Sequence, residues 1–279
     1  MSEKQNFTHP IFIPIADSRY RSLFNNSTEG EIQKMYINWY GLSDSGTVKD
    51  VNQDTILCDL HRTENGDIGL FAVADGVGGL EHGEIASAVA INTLREWWDN
   101  ALSHCSPEDI LSHTLVNNIH QINMEMSKYC YNMATTLSSL LILHDRYLIL
   151  HIGDSRIYHY RKGLTDSFSQ ITPDHSSLVI NKDLYGRTVQ KSVLTDCLGK
   201  MSKGGYYAAS DEIMPKDTFV LCSDGVYKTQ SDKEIKLCIA QKKKNPAELC
   251  RALINGAKQN HETDNISAIS VSISKKPIL

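Results

Sequence analysis

Three apolar runs in this chain end on an aspartate. FAVA stops at Asp75-Gly76, YLILHIG at Asp154 and FVLCS at Asp224-Gly225. A fourth acid, Asp264, sits in the turn TDN before the last apolar segment, and Asp54 follows Asn52-Gln53 at the start of another. Taken singly, an Asp-Gly after a strand is a turn. Strand ends in a layered sheet fold can meet at one edge, however. Several carboxylates gathered there repel one another unless some are protonated or a cation neutralises them. Oxygen donors without His or Cys partners suit Mg²⁺ or Mn²⁺ rather than Zn²⁺.

The stretch FAVADGVGGLEHGEIAS, Phe71–Ser87, admits three readings: a plain turn, a nucleotide-phosphate loop or a metal site. The dinucleotide pattern G-x-G-x-x-G fits Gly76 and Gly78 but meets Glu81 at its third glycine, and no G-x-x-x-x-G-K-[ST] occurs in the chain. A metal site gives Gly76 a task, because its carbonyl could approach a cation with no side chain in the way.

The elements that must position these acids read as follows. Strands are expected from Met35 through YINWYGLS, at DTILCDL and at IGLFAVA. Ile85, Ala88, Val89, Ile91, Leu94 and Trp97 recur at helical spacing over Glu84–Trp98, and a second such pattern runs from Ile110 to Tyr129, with Pro107 in its first turn. TTLSSLLIL, RYLILHIG and SRIYHYR read as a meander of strands, and TFVLCS as a buried strand. Lys233–Ala240 and Pro246–Lys258 are expected helices, and the apolar–serine alternation of ISAISVSI a half-buried strand. Two consecutive helices after three strands argue against βαβ alternation, so the fold class is α+β with antiparallel sheets covered by helix pairs. Residues 1–34 read as an extension of unknown order, and 172–205 as a long excursion of the kind that is functional or mobile in a compact domain.

The 279 residues are 41% hydrophobic and 22% charged, ordinary for a globular chain. A formal net charge of −5 gives no electrostatic reason for a nucleic-acid or anionic-membrane partner. Seven scattered cysteines without a C-x-x-C pair read as free thiols in a reducing compartment. No signal peptide or membrane span is evident, so a soluble, cytoplasmic protein is expected.

Eight segments, in order, resemble the metal-dependent protein serine/threonine phosphatases of the PPM, or PP2C-like, class, in particular its bacterial branch. They are GLSDSGTVKDVNQD, FAVADGVGGLEHGEIAS, MATTLSSLLI, HIGDSRIY, ITPDHS, LTDCLG, FVLCSDGVY and TDNISAISV, spread over about Tyr36–Ile273. The resemblance implies a four-layer α-β-β-α sandwich over residues 35–279, with 172–205 as a flap beside the active site. It implies two Mg²⁺ or Mn²⁺ ions bridged by Asp75. The Gly76 carbonyl would bind one and Asp224 with Asp264 the other. Asp54 and Gln53 would hold water around them, and Asp154 would be a candidate ligand for a third ion. A water activated by the two cations would attack phosphoserine or phosphothreonine in line, without a covalent enzyme intermediate. A phosphorylated protein substrate, a cognate Ser/Thr kinase and a monomeric state go with that reading.

The chain departs from the family pattern at three places. Lys49 stands where an arginine usually grips the phosphate, and keeps the charge but not the bidentate fork. Gln53 replaces a glutamate. Leu80 replaces a histidine, with His82 two residues on as a conceivable general acid. His175 reads as a turn residue and Arg156 as an ion-pair former. Lys49 and Leu80 motivate the rival expectation of a weak or inactive pseudophosphatase that binds phosphoproteins, and a small-molecule phosphatase on the same fold is a third reading.

Overall fold

The computed structural model describes residues 34–77, 82–104, 121–125, 128, 132–182, 188–199 and 205–276. Its strands are β1 (Tyr36–Asp44), β2 (Asp54–Thr63), β3 (Gly66–Asp75), β4 (Leu137–Leu143), β5 (Arg146–Ile152), β6 (Arg156–Arg161), β7 (Ser167–Gln170), β8 (Ser176–Lys182), β9 (Thr188–Leu194), β10 (Tyr207–Glu212), β11 (Asp217–Cys222) and β12 (Ile266–Ser274). The helices are α1 (Gly83–His104), α2 (Asp224–Tyr227), α3 (Asp232–Lys242) and α4 (Pro246–Gln259).

Alternation along β3 shows how the layers form. Every residue from Gly66 to Ala74 is buried, because β3 lies between β2 and β4 and is covered on both faces. Leu70, Ala72 and Ala74 point into a core shared with Leu94 and Trp98 of α1 and with Ile122. Phe71 and Val73 point the other way, into a core shared with Phe219, Leu221, Ile269 and Val271. A third core packs Val220, Cys222, Ile266 and Ala268 beneath Ile235 and Ile239 of α3 and Leu249 and Leu253 of α4. Two five-stranded antiparallel sheets, ordered β1-β12-β11-β6-β7 and β10-β5-β4-β3-β2, therefore stack face to face with helices outside each. The α-β-β-α expectation holds.

Local signals set several boundaries. Ser231 and Glu234 form a capping box at the start of α3, and the Asn245 side chain caps α4 just before Pro246. The expected helix over 84–98 continues to His104. Most of the expected 110–129 helix lies outside the described residues, with 121–125 helical. The extension also lies outside them, save Lys34. Strand β12 is more buried than its alternation foretells. On the face that the helix layer covers, Ser270 is fully buried and Ser272 donates to the Lys243 carbonyl at 2.9 Å, while Ser267, also fully buried, lies on the face toward the other sheet and donates to Asp54 there. The short polar strands β7 and β10 escape the sequence reading, since an edge strand can form without an apolar run.

The 172–205 excursion carries the β8–β9 hairpin. At its root the His175 amide donates to the Gly153 carbonyl (2.8 Å), and the Thr195 amide to the His175 carbonyl (2.9 Å). The His151 Nε2–H donates to the Pro173 carbonyl at 2.7 Å, and Nδ1 lies 2.8 Å from the Ser138 hydroxyl. Burial, with His175 beside it, pushes the His151 imidazole down from 6.5 to about 3. Below pH 6.5 the unfolded chain takes up a proton that the folded chain refuses. This histidine's contribution is thus complete above pH 6.5 and is lost as the pH falls toward 3. Between about pH 7 and about pH 4.5, wild type is expected to lose more of its urea midpoint than His151→Gln. Equal losses would show that this imidazole does not govern the acid limb.

Candidate metal centre

The pairing of β2 with β3 sets Asp54 opposite Asp75. The other sheet delivers Asp224 immediately after β11 and Asp264 just before β12, while Asp154 follows β5. The strand ends that the sequence marks with acids therefore converge at one edge of the sandwich, and mutual repulsion links all five carboxylates.

Backbone hydrogen bonds fix this edge. The Asp75 amide donates to Thr136 Oγ1 at 3.0 Å, and the Asp75 carbonyl accepts from the Thr136 amide and the Thr135 hydroxyl, each at 2.9 Å. Asp54 Oδ2 accepts from Ser223 (2.8 Å) and Ser267 (2.7 Å), tying the two sheets together. Asn265 fastens the loop before Asp54: its Oδ1 accepts from the Gln53 amide, and its Nδ2 donates to the Ser45 and Val51 carbonyls. Glu262 Oε1 accepts from the Thr263 and Asp264 amides and shapes the last turn. Gly76 has no room for a side chain, since a Cβ there would lie 2.3 Å from the Gly83 carbonyl oxygen at the start of α1.

The electrostatics follow from burial and crowding. Burial, reinforced by Asp54, Asp224, Asp154 and Asp264, raises the Asp75 carboxyl well above the usual range. Burial takes Asp54 up to about 6, and burial with Asp224 nearby takes Asp154 up to about 7. Asp224 is raised by burial despite Lys228. Asp264 goes the other way: burial pushes it up, but Lys228, the Asn265 amide and Lys49 outweigh that and hold it low. Lys228 Nζ lies 2.5 Å from Asp224 Oδ2 and 3.3 Å from Asp264 Oδ2.

Lys49 Nζ is 3.6 Å from Asp264 Oδ1. The Gln53 amide side chain reaches Glu84 at 3.4 Å. His82, at a left-handed φ of 64°, faces Glu84 at 3.9 Å rather than the acids. Leu80 lies outside the described residues. Arg156 holds Asp174 in a two-pronged ion pair (3.0 and 2.7 Å) and stacks 3.6 Å above the Tyr227 ring, whose hydroxyl donates to the Asp154 carbonyl. The sequence reading gave no role to Lys228, Asn265, Ser223 or Ser267. The serines and Asn265 lie inside motifs already quoted, whereas nothing local marks Lys228.

The donors fit a hard divalent cation in kind. They are all oxygens, they are crowded, and Asp54 Oδ1 and Asp224 Oδ1 are buried without a hydrogen-bond partner. Among the described residues no three His, Cys, Asp or Glu side chains close into a ready cage.

Residues 46–261 match the family model for protein phosphatase 2C. This chain belongs to that family. Within it, the chain is 28% identical over 212 residues to the serine/threonine phosphatase stp of Listeria innocua, covering 71% of this chain and 82% of that one. It is 28% identical over 258 residues to the protein phosphatase PhpP of Streptococcus pneumoniae serotype 2, covering 84% and 97%. The catalytic domain of the serine/threonine protein phosphatase PstP, solved in complex with two manganese ions, is similar with a TM-score of 0.65 at 25% identity, over 86% of this chain and all of that one. No helix among the described residues of the phosphatase fold is long and apolar enough to cross a membrane.

Proposed function

We propose that the chain is an Mg²⁺- or Mn²⁺-dependent phosphatase of phosphoserine and phosphothreonine in proteins. The observation that carries the reading is the meeting of Asp54, Asp75, Asp224 and Asp264 at one edge, with free buried oxygens on Asp54 and Asp224. In this reading Asp75 would be a ligand shared by two ions, the Gly76 carbonyl would help hold one, and Asp224 with Asp264 would hold the other. Asp154 is the candidate ligand for a third. Bound there, the ions would lower the pKa of a water and offset charge on the phosphoryl oxygens.

The chain's own groups do the rest. Asp54 is pinned by Ser223 and Ser267, so its free oxygen can orient water at the edge. Gln53 is held by Asn265 through its backbone and lies beside Gly76, whose amide donates to the Gln53 carbonyl at 3.1 Å. Lys49 is half exposed at the rim, where an ammonium can meet an incoming phosphate as a point charge. His82 is given no proton-transfer part. We assign residues 35–279 to the phosphatase domain, a Ser/Thr kinase or its targets as the source of substrate, and a monomer acting in the cytoplasm.

Purified protein with Mn²⁺ is expected to release inorganic phosphate from a phosphothreonine peptide, and a chelator to stop it. Mn²⁺ binding without release would favour the phosphoprotein-binding reading that Lys49 motivates. No Mn²⁺ binding would overturn both the metal assignments and the reaction.

A further inference from the structure

Among the described residues, Lys228 is the one side chain that the metal reading leaves without a task and that touches two of its acids. It sits at the C-cap of α2, four residues after Asp224, and its side chain is 44% exposed. Its ammonium meets Asp224 Oδ2 and Asp264 Oδ2 at once, at 2.5 and 3.3 Å. These are the two carboxylates assigned to one of the two ions. The opposite oxygen of Asp224, Oδ1, is buried and has no partner. Asp224 is therefore only half satisfied by the lysine. A divalent ion, with twice the charge and several coordination positions, could satisfy both oxygens.

We propose that the Lys228 ammonium is an internal counter-ion that competes with a divalent cation for Asp224 and Asp264. The ion at this end then binds more weakly than the ion at the Asp75–Gly76 end, and only as the lysine turns out toward solvent. The inference rests on the two-ion reading above. Two physical points support it. First, two carboxylates that meet at one ammonium repel each other unless one is protonated or a cation neutralises them, and Lys228 supplies that cation in the metal-free protein. Second, one unit charge and one divalent ion cannot share the same pair of carboxylates without repulsion. The lysine must give up contacts that the ion gains, and this coupling weakens the ion's affinity. The half-exposed position gives the four-carbon stem a route outward, which a buried lysine would lack. Lys228 is on this account a positioning residue that sets the order and strength of metal loading.

Removal of the ammonium should move two quantities in opposite directions. Mn²⁺ titrations by calorimetry on wild type, Lys228→Met and Lys228→Arg test the first. The weaker binding step should tighten on the order of tenfold in Lys228→Met and stay near wild type in Lys228→Arg, which keeps the charge. The second is the melting temperature of metal-free protein, which should fall in Lys228→Met and not in Lys228→Arg. A lysine with a purely structural role would lower stability without improving metal affinity. An unchanged or weakened second step in Lys228→Met would overturn the proposal. If Lys228→Met fails to fold, Lys228→Gln serves as the neutral variant under the same criteria. Binding of no Mn²⁺ by wild type or variant would instead remove the two-ion reading, and this proposal with it.

Discussion

Asp75→Asn is expected to lower Mn²⁺-dependent phosphate release on the order of a thousandfold, while the metal-free protein melts at a higher temperature than wild type. The two halves of this result have one cause. The strand end that carries Asp75 is held by its backbone, through the Thr135 hydroxyl and the Thr136 amide and hydroxyl, so the substitution leaves the frame in place. The side chain itself, partly buried, is crowded by Asp54, Asp224, Asp154 and Asp264. An amide cannot ionise, so it removes both the repulsion and the proton uptake that this crowding forces on the Asp75 carboxyl, which relieves the metal-free protein. The same change removes the shared anionic ligand that the two-ion reading requires. Assay of phosphate release and thermal melting of chelator-treated protein check the pair. Full retained activity would remove Asp75 from the bridging role. A lost activity with a lowered melting temperature would point to a damaged fold instead.

The parts of this edge that were legible in the sequence share a physical feature. Asp75, Asp154 and Asp224 each end an apolar run, so a change from apolar strand to carboxylate is written within a few residues. The central strands were legible from their apolar runs, since Ile68–Ala74 of β3 and Phe219–Cys222 of β11 are covered on both faces. What escaped depends on contacts distant in sequence. Asn265 bonds groups more than two hundred residues away, at Ser45, Val51 and Gln53, and a lone Asn in a turn does not announce that. Ser267 reads as the polar half of an alternating strand, yet its hydroxyl donates to Asp54 in the other sheet. Lys228 has no reading of its own in the sequence, and its ammonium acquires meaning only when the fold brings Asp264 to it from another turn. β7 and β10 were missed because edge strands borrow their order from neighbours, as β10 does from β5.

Gly76→Ala is expected to cost at least about 2 kcal/mol of stability and to remove most of the metal-dependent activity. The sequence alone leaves Gly76 open to several readings, of which conformational freedom in a turn is one. The geometry narrows this to close approach. Gly76 is not among the residues at positive φ, so an alanine meets no backbone strain there. It meets atoms instead: the added Cβ would lie 2.3 Å from the Gly83 carbonyl oxygen and 2.4 Å from its carbon. Those are backbone atoms at the first residue of α1, and they cannot rotate away as a side-chain tip could. Gly83 is less confined, since a Cβ on it would meet the tip of the Gln53 side chain at 2.7 Å and the Gly76 carbonyl carbon at 3.2 Å. The end of β3 and the start of α1 thus pack backbone against backbone at Gly76 and Gly83, with the Gln53 side chain beside them. An alanine at 76 must push α1 outward or pull the strand end back, and either motion moves Asp75 and the Gly76 carbonyl relative to Asp54. The expected signature is a lowered urea midpoint together with weakened Mn²⁺ binding in calorimetry. A Gly76→Ala protein with wild-type midpoint and wild-type Mn²⁺ affinity would show that the β3–α1 junction yields freely, and that the bare backbone at this position serves neither packing nor the proposed ion.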